Sequence, residues 1–172
     1  MDHAEHLGAS LSQVEVIHGT VEPSQILDTP DRLLTFSMGT RETFAIPVDC
    51  VAEVSVAPPL DSLAGAGGHI AGMLVWRGEV AYVYYLSDFL LINARPNRVL
   101  MMLTGVNGRR PFGVLIDAVG KVVDVLPARF HEVPAYCKVN QAIASVVIDD
   151  NDRLISVLNA EAMFGTSSRN SH

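Results

Sequence analysis

The chain has 172 residues, 49% of them hydrophobic and only 18% charged, which excludes a disordered protein. Its net charge of −7 is unevenly placed: six acids and no Lys or Arg precede Arg32, and the remaining 141 residues carry 13 acids against 12 bases, a balance of −1. A body so close to neutral offers no broad basic face for phosphates, which argues against a nucleic-acid-binding β barrel.

Residues 1–31 mix polar, acidic and turn residues and are interrupted by Pro23 and Pro30. They read as an extended acidic arm with one short helix at most. The opening Met1-Asp2-His3-Ala4-Glu5-His6 lacks the basic and apolar regions of a secretory signal. From Arg32 the texture changes. The chain holds 22 Val and 9 Ile, branched side chains that suit a pleated surface. Gly and Asn punctuate it at the spacing of a small β barrel. The longest apolar runs, Ile70–Trp76 and Val80–Leu86, have seven residues each, far short of the roughly 20 that a membrane-spanning helix needs. Helical periodicity is confined to short stretches at Asp88–Asn93 and Ala160–Phe164, and the chain closes on a small polar tail, 166–172.

An internal repeat organises the body. Phe44-Ala-Ile-Pro-Val-Asp-Cys-Val-Ala-Glu-Val54 aligns with Phe112-Gly-Val-Leu-Ile-Asp-Ala-Val-Gly-Lys-Val122. Each copy follows an apolar strand and a polar turn: Leu33–Phe36 with Gly39–Glu42, and Val99–Leu103 with Asn107–Arg110. Downstream, Ile70–Val75 matches Ile143–Ile148, and a turn and a further strand follow in both copies. Each half therefore reads as four or five strands, enough to curl into a small barrel that hides its edges. The expected architecture is all-β: two packed barrels, the first at about 32–94 and the second at about 95–165. Barrels of that size have little core of their own and should share one.

Most catalytic and metal-binding signatures are missing. Gly65-Ala66-Gly67-Gly68 leads into His69-Ile70 and lacks the Lys-Ser/Thr of a phosphate loop. His3 and His6 have no second pair to complete a metal site. Asp149-Asp150-Asn151-Asp152 lacks the glycine and the distant glutamate of a calcium loop and reads as a solvated turn. Two cysteines, Cys50 and Cys137, are too few for a disulfide framework or a thiolate metal cage, which fits a reducing cytoplasm. His131 and Cys137 could bring an imidazole to a thiol, but no third residue orients them. Asp49 and Asp117 recur at equivalent places, which suits capping of a short turn better than catalysis. No enzymatic activity, cofactor or metal is expected.

The places where the repeat breaks are more informative. Glu53 stands where the second copy has Lys121, and Trp76-Arg77-Gly78 where it has acids. Glu53 and Arg77 can pair across neighbouring strands of the first barrel. That pair is either an ordinary surface ion pair, worth about 0–1 kcal/mol, or a device that holds an Arg rigid for docking a partner. Interfaces favour Arg and aromatic residues, and Trp76, Tyr82, Tyr84 and Tyr85 lie in the same region. Tyr82 and Tyr84 would share one strand face and Tyr85 the other.

The ordered set Phe36-x-x-Gly39, Phe44-Ala-Ile-Pro-Val-x-x-Val51-x-Glu53-Val54 and Ile70-x-Gly72-Met-Leu-x-Trp76-Arg77-Gly78-x-Val80 resembles the CheW family of chemotaxis coupling proteins. So do Phe112–Val122 and Leu154-Ile-x-Val-Leu158-Asn159. The resemblance spans roughly 33–164. It implies two five-stranded Src-homology-3-like β barrels on a shared core, in agreement with the repeat. It also implies a non-enzymatic adaptor that joins the regulatory domain of a CheA-type sensor histidine kinase to the cytoplasmic tip of a chemoreceptor. Glu53 and Arg77 are then the receptor-side candidates, and Gly72 and Gly78 match the glycines that shape the turn; Gly78, with Trp76, Tyr82 and Tyr85 from the residue reading above, completes the candidate partner-binding set. Where the family usually has Pro, and later Asp-Leu, this chain has Tyr82 and Tyr85-Leu86, and Val75 replaces the usual Asn. These departures admit an alternative: an accessory member in a chemosensory system that controls pilus motility.

Overall fold

A computed structural model describes residues 32–104, 110–132, 143–148 (as backbone), 151–159 and 163. The expected arm and tail lie outside these residues, as do Cys137, Asp149, Asp150 and, apart from Met163, the helix anticipated at 160–164. Eleven strands are described: β1 (Arg32–Ser37), β2 (Thr43–Pro47), β3 (Val51–Val56), β4 (Ile70–Trp76), β5 (Glu79–Tyr85), β6 (Val99–Leu103), β7 (Phe112–Ile116), β8 (Ala118–Asp124), β9 (Phe130–His131), β10 (Ile143–Ile148) and β11 (Leu154–Leu158). One short helix, α1 (Leu86–Phe89), follows β5. It occupies the start of the stretch expected at 88–93.

The strands form two sheets, ordered β8-β1-β2-β11-β10-β9 and β3-β6-β7-β5-β4. The repeat is thereby recovered, with β1–β5 as one copy and β6–β8 with β10–β11 as the other. The sheets, however, do not follow the halves of the chain. The first two strands of each copy join the later strands of the other, so the expectation of one barrel from 32–94 and one from 95–165 is corrected here. The cause lies in the links between strands. A hairpin needs at least a two-residue loop, and Asp117 alone separates β7 from β8. The chain cannot reverse there, and it runs on into the other sheet. The first copy crosses at the same place through a 3-10 turn, Val48–Cys50. The crossings are fastened symmetrically: Asp117 N donates to Ser37 O at 3.0 Å, and Thr104 N to Cys50 O at 2.8 Å. No side chain caps the turn that contains Asp49, so the repeated aspartates mark the crossings and Asp49 does not act as the expected cap. The first sheet has six strands, not five, because the two-residue β9 adds to its edge.

Both faces of the first strand pairs are buried, which explains their unbroken apolar sequences. Along β6, Leu100 and Met102 point into the second sheet's own interior with Ala81, Val83 and Leu115. Met101 and Leu103 point the other way, into a cluster with Phe36, Phe44, Ile46, Phe112 and Ile116. That cluster takes residues from both sheets, so it is the shared core the repeat called for. A smaller interior, Leu33, Ala45, Val125, Ile155 and Val157, fills the first sheet.

A candidate partner-docking site

β3 and β4 are the two outermost strands of the second sheet. Glu53 on β3 and Trp76 on β4 nevertheless touch, with Trp76 Nε1 donating to Glu53 Oε2 at 3.0 Å. The expectation that Glu53 and Arg77 sit on neighbouring strands is thus refined: their strands become neighbours only because the sheet curls until its edges meet. A second contact assists the closure. Asp61 and Met73 exchange backbone hydrogen bonds, each of 2.9 Å. Gly72 permits this crossing, because a Cβ there would lie 2.8 Å from both Asp61 O and Leu60 Cβ. It also sits at the register shift between Ile70 and Gly72 that bends β4.

The β4–β5 hairpin turns at Arg77–Gly78. Trp76 pairs with Glu79, and the two residues between them have φ of 50° and 83°, a turn with positive φ at both central positions. Gly78 adopts this freely. Arg77 is a non-glycine residue in the left-handed region, at a cost of about 1–2 kcal/mol. Two contacts offset that cost, and a packed ring supports them. The guanidinium carbon lies 4.3 Å from the centroid of the Trp76 ring. Arg77 Nη2 is 3.8 Å from Glu53 Oε2, the same oxygen that accepts from Trp76. The Trp76 ring itself packs against the sheet interior. A cation–π contact of about 0.5–1 kcal/mol and an exposed ion pair of about 0–1 kcal/mol hold the Arg in place. Its side chain remains 66% exposed. The result is a cation fixed in position yet open to a partner.

The tyrosines separate. Tyr82 is exposed, and it lies opposite Met73 on the outer face that also carries the exposed Val75 and Val80, themselves a cross-strand pair. Tyr84 shares that face but lies nearer the junction of the sheets. It stacks on His69, with centroids 6.3 Å apart, and meets Phe112 edge-on at 5.6 Å. Burial, followed by the neighbouring Tyr82, raises its pKa above the usual 10.0. Tyr85 faces inward and packs on the Ala81–Val83 cluster. Its ring carries the Arg95 guanidinium at 4.6 Å, so it stands apart from the Trp76–Arg77 tip.

His131 is exposed on β9, and its proposed thiol partner, Cys137, lies outside the described residues. Among the described residues no three His, Cys, Asp or Glu side chains gather where they could hold a metal ion. No helix among them is long and apolar enough to cross a membrane.

Two arrangements escaped the sequence reading. Arg95 reaches back to α1, where it pairs with Asp88 and donates to Ser87 Oγ at 3.2 Å. Buried Thr35 fills a gap in the β1–β8 ladder: its Oγ1 donates to Lys121 O and accepts from Lys121 N, both at 2.9 Å. Gly120 makes room for this hydroxyl, since a Cβ there would lie 2.4 Å from it. A glycine inside a strand was the available signal for such a close approach.

The crystal structure of the scaffolding protein TtCheW from Thermoanaerobacter tengcongensis superimposes with a TM-score of 0.72 at 18% identity, covering 83% of this chain and 98% of that one. This likeness supports two Src-homology-3-like barrel subdomains as the fold. No curated protein matches the chain. The model of the CheW-like domain matches residues 32–168, and with most of its length inside that match the chain belongs to the CheW-like family.

Proposed function

We propose that this protein is a non-enzymatic adaptor that couples the cytoplasmic tip of a chemoreceptor to the regulatory domain of a CheA-type histidine kinase. It would act in the cytoplasm, at receptor arrays, without entering the membrane. Family membership supports the adaptor role. The observation that carries the site is Arg77, strained in backbone, stacked on Trp76, anchored by Glu53 and still open to solvent. Strain of that kind persists where the surroundings hold it and collects at functional positions. Signal passes through contact geometry, and weak single contacts gain avidity when repeated in an array. The test is capture of a receptor cytoplasmic fragment. Arg77→Glu should abolish capture while the far-ultraviolet circular dichroism spectrum stays unchanged, and undiminished capture removes Arg77 from the site.

Exposed Tyr82 and Val75 give the surface beside Arg77 a more apolar character than the family's usual Pro and Asn. That departure from the family pattern allows a second reading, an accessory adaptor of a pilus chemosensory system. Capture compared between flagellar and pilus kinases separates the two.

A further inference from the structure

The reciprocal topology has a consequence for how two copies of this chain can meet. The pairs β1–β8, β2–β11, β3–β6 and β5–β7 all join one half of the chain to the other. Neither half completes a sheet alone, and each sheet is indifferent to whether its partner half comes from the same chain or from a second copy. What ties the halves together is a connector between Leu90, buried in the shared core, and Arg98, whose carbonyl accepts from Ala57 N at 3.0 Å.

That connector, Leu91–Asn97, is bent under strain and latched. Leu91 has φ of 56° without being glycine, and its apolar side chain is 71% exposed. Ile92 N donates to Ser87 O at 2.9 Å, which folds the segment back on α1. Arg95 closes the fold: it pairs with Asp88, donates to Ser87 Oγ and lies over Tyr85. Short hinge loops under strain invite exchange of identical elements between protomers. Seven extended residues reach about 25 Å, enough to carry one half away from the other.

We propose that Leu91–Asn97 is a latched hinge and that opening it lets two copies exchange halves, giving a dimer in which the four strand pairs that join the halves, β1–β8, β2–β11, β3–β6 and β5–β7, are remade between chains. The barrels are unchanged in such a dimer, and only the connector differs. The short connector raises the effective concentration of a chain's own second half and favours the monomer. The Arg95 latch favours it too, whereas the strain at Leu91 works against it.

The experiment uses the full chain carrying Cys50→Ser, Cys137→Ser, Ser37→Cys and Ala118→Cys. Residues 37 and 118 are directly opposed across β1 and β8, at a spacing a disulfide spans. Oxidation after refolding links one chain to itself in the monomer and two chains together in the exchanged dimer. A reducible dimer band should grow with protein concentration during refolding. Arg95→Ala should raise the dimerisation constant roughly tenfold or more, because two latches are lost per dimer. Leu91→Gly, which relieves the strain of the bent connector, should lower it. Disulfides confined to single chains at every concentration and in both variants overturn the proposal. So does a dimer that forms equally well with Ser37→Cys as its only cysteine, since that is a surface thiol contact.

Discussion

Glu53 has two separable tasks, and substitution can part them. Its Oε2 accepts the Trp76 indole N–H at 3.0 Å, which joins the edges of the second barrel, and it lies 3.8 Å from the Arg77 guanidinium, which orients the proposed docking cation. Glu53→Gln keeps an acceptor for Trp76 and removes the charge facing Arg77. Glu53→Ala removes both. A hydrogen bond of this kind contributes about 0.5–1.5 kcal/mol net, and an exposed ion pair about 0–1 kcal/mol. Glu53→Ala should therefore cost about 1–2 kcal/mol, a fall in Tm of roughly 3–6 °C for a domain of this size, and Glu53→Gln less than about 1 kcal/mol. Receptor capture should follow a different order, with Glu53→Gln and Glu53→Ala weakening it alike because both release Arg77. Thermal unfolding followed by circular dichroism and capture of the receptor fragment are read on the same samples. In the double variant with Arg77→Ala, the stability loss should fall short of the sum of the single losses, since both sites share one contact. A Glu53→Gln variant as unstable as Glu53→Ala would show that charge closes the barrel, and the division of roles argued above would fail.

Gly120→Ala places a methyl 2.4 Å from Thr35 Oγ1 and should destabilise by about 2–3 kcal/mol, while Thr35→Val, which strips Lys121 N and O of their partner, should cost about 1–3 kcal/mol; urea midpoints check both, and Thr35→Ser should restore most of the loss. Fragments 32–94 and 95–165 should each be unfolded alone and should regain the β-sheet circular dichroism spectrum on mixing, because the sheets form only between halves. Burial raises the pKa of Tyr84 above 10.0, so the folded state holds that proton more tightly than the unfolded one. The associated stability is present below pH 10 and is lost as the pH rises through the folded value, which Tyr84→Phe should show as a flatter alkaline limb in a pH titration of unfolding.

The fold class was legible because apolar strands separated by turns, recurring in the same order twice, leave a repeat that survives divergence. Which sheet each strand joins was not legible. A repeat aligned on itself reads the same whether β3 pairs within its own copy or with β6 of the other. The single residue between β7 and β8 decides the matter, and it shows itself only once strand ends are known. The site was legible in part. Glu53 and Trp76-Arg77-Gly78 stood out because the second copy has residues of different charge there. The Arg95 latch and the Thr35–Gly120 contact carried no such mark, since each depends on segments brought together by strand pairing or by the path of a connector.

The crossing of strands between the two sheets also bears on why the candidate docking tip belongs to one copy alone. β3, β4 and β5 come from the first copy, but the strands between β3 and β5, β6 and β7, come from the second. The contact of Glu53 with Trp76 therefore closes around residues of the other half, among them Leu100, Met102 and Leu115. The second copy has a different use for the position equivalent to Glu53. Lys121 lies on β8, where its backbone N and O are taken by Thr35, and the sequence between β10 and β11, equivalent to Arg77–Gly78, is Asp149-Asp150-Asn151-Asp152-Arg153. With a lysine on the strand and three acids to one arginine at the turn, the balance of charge is reversed relative to Glu53 and Arg77. The two halves of a nearly symmetric fold become inequivalent by charge, without any change in strand order.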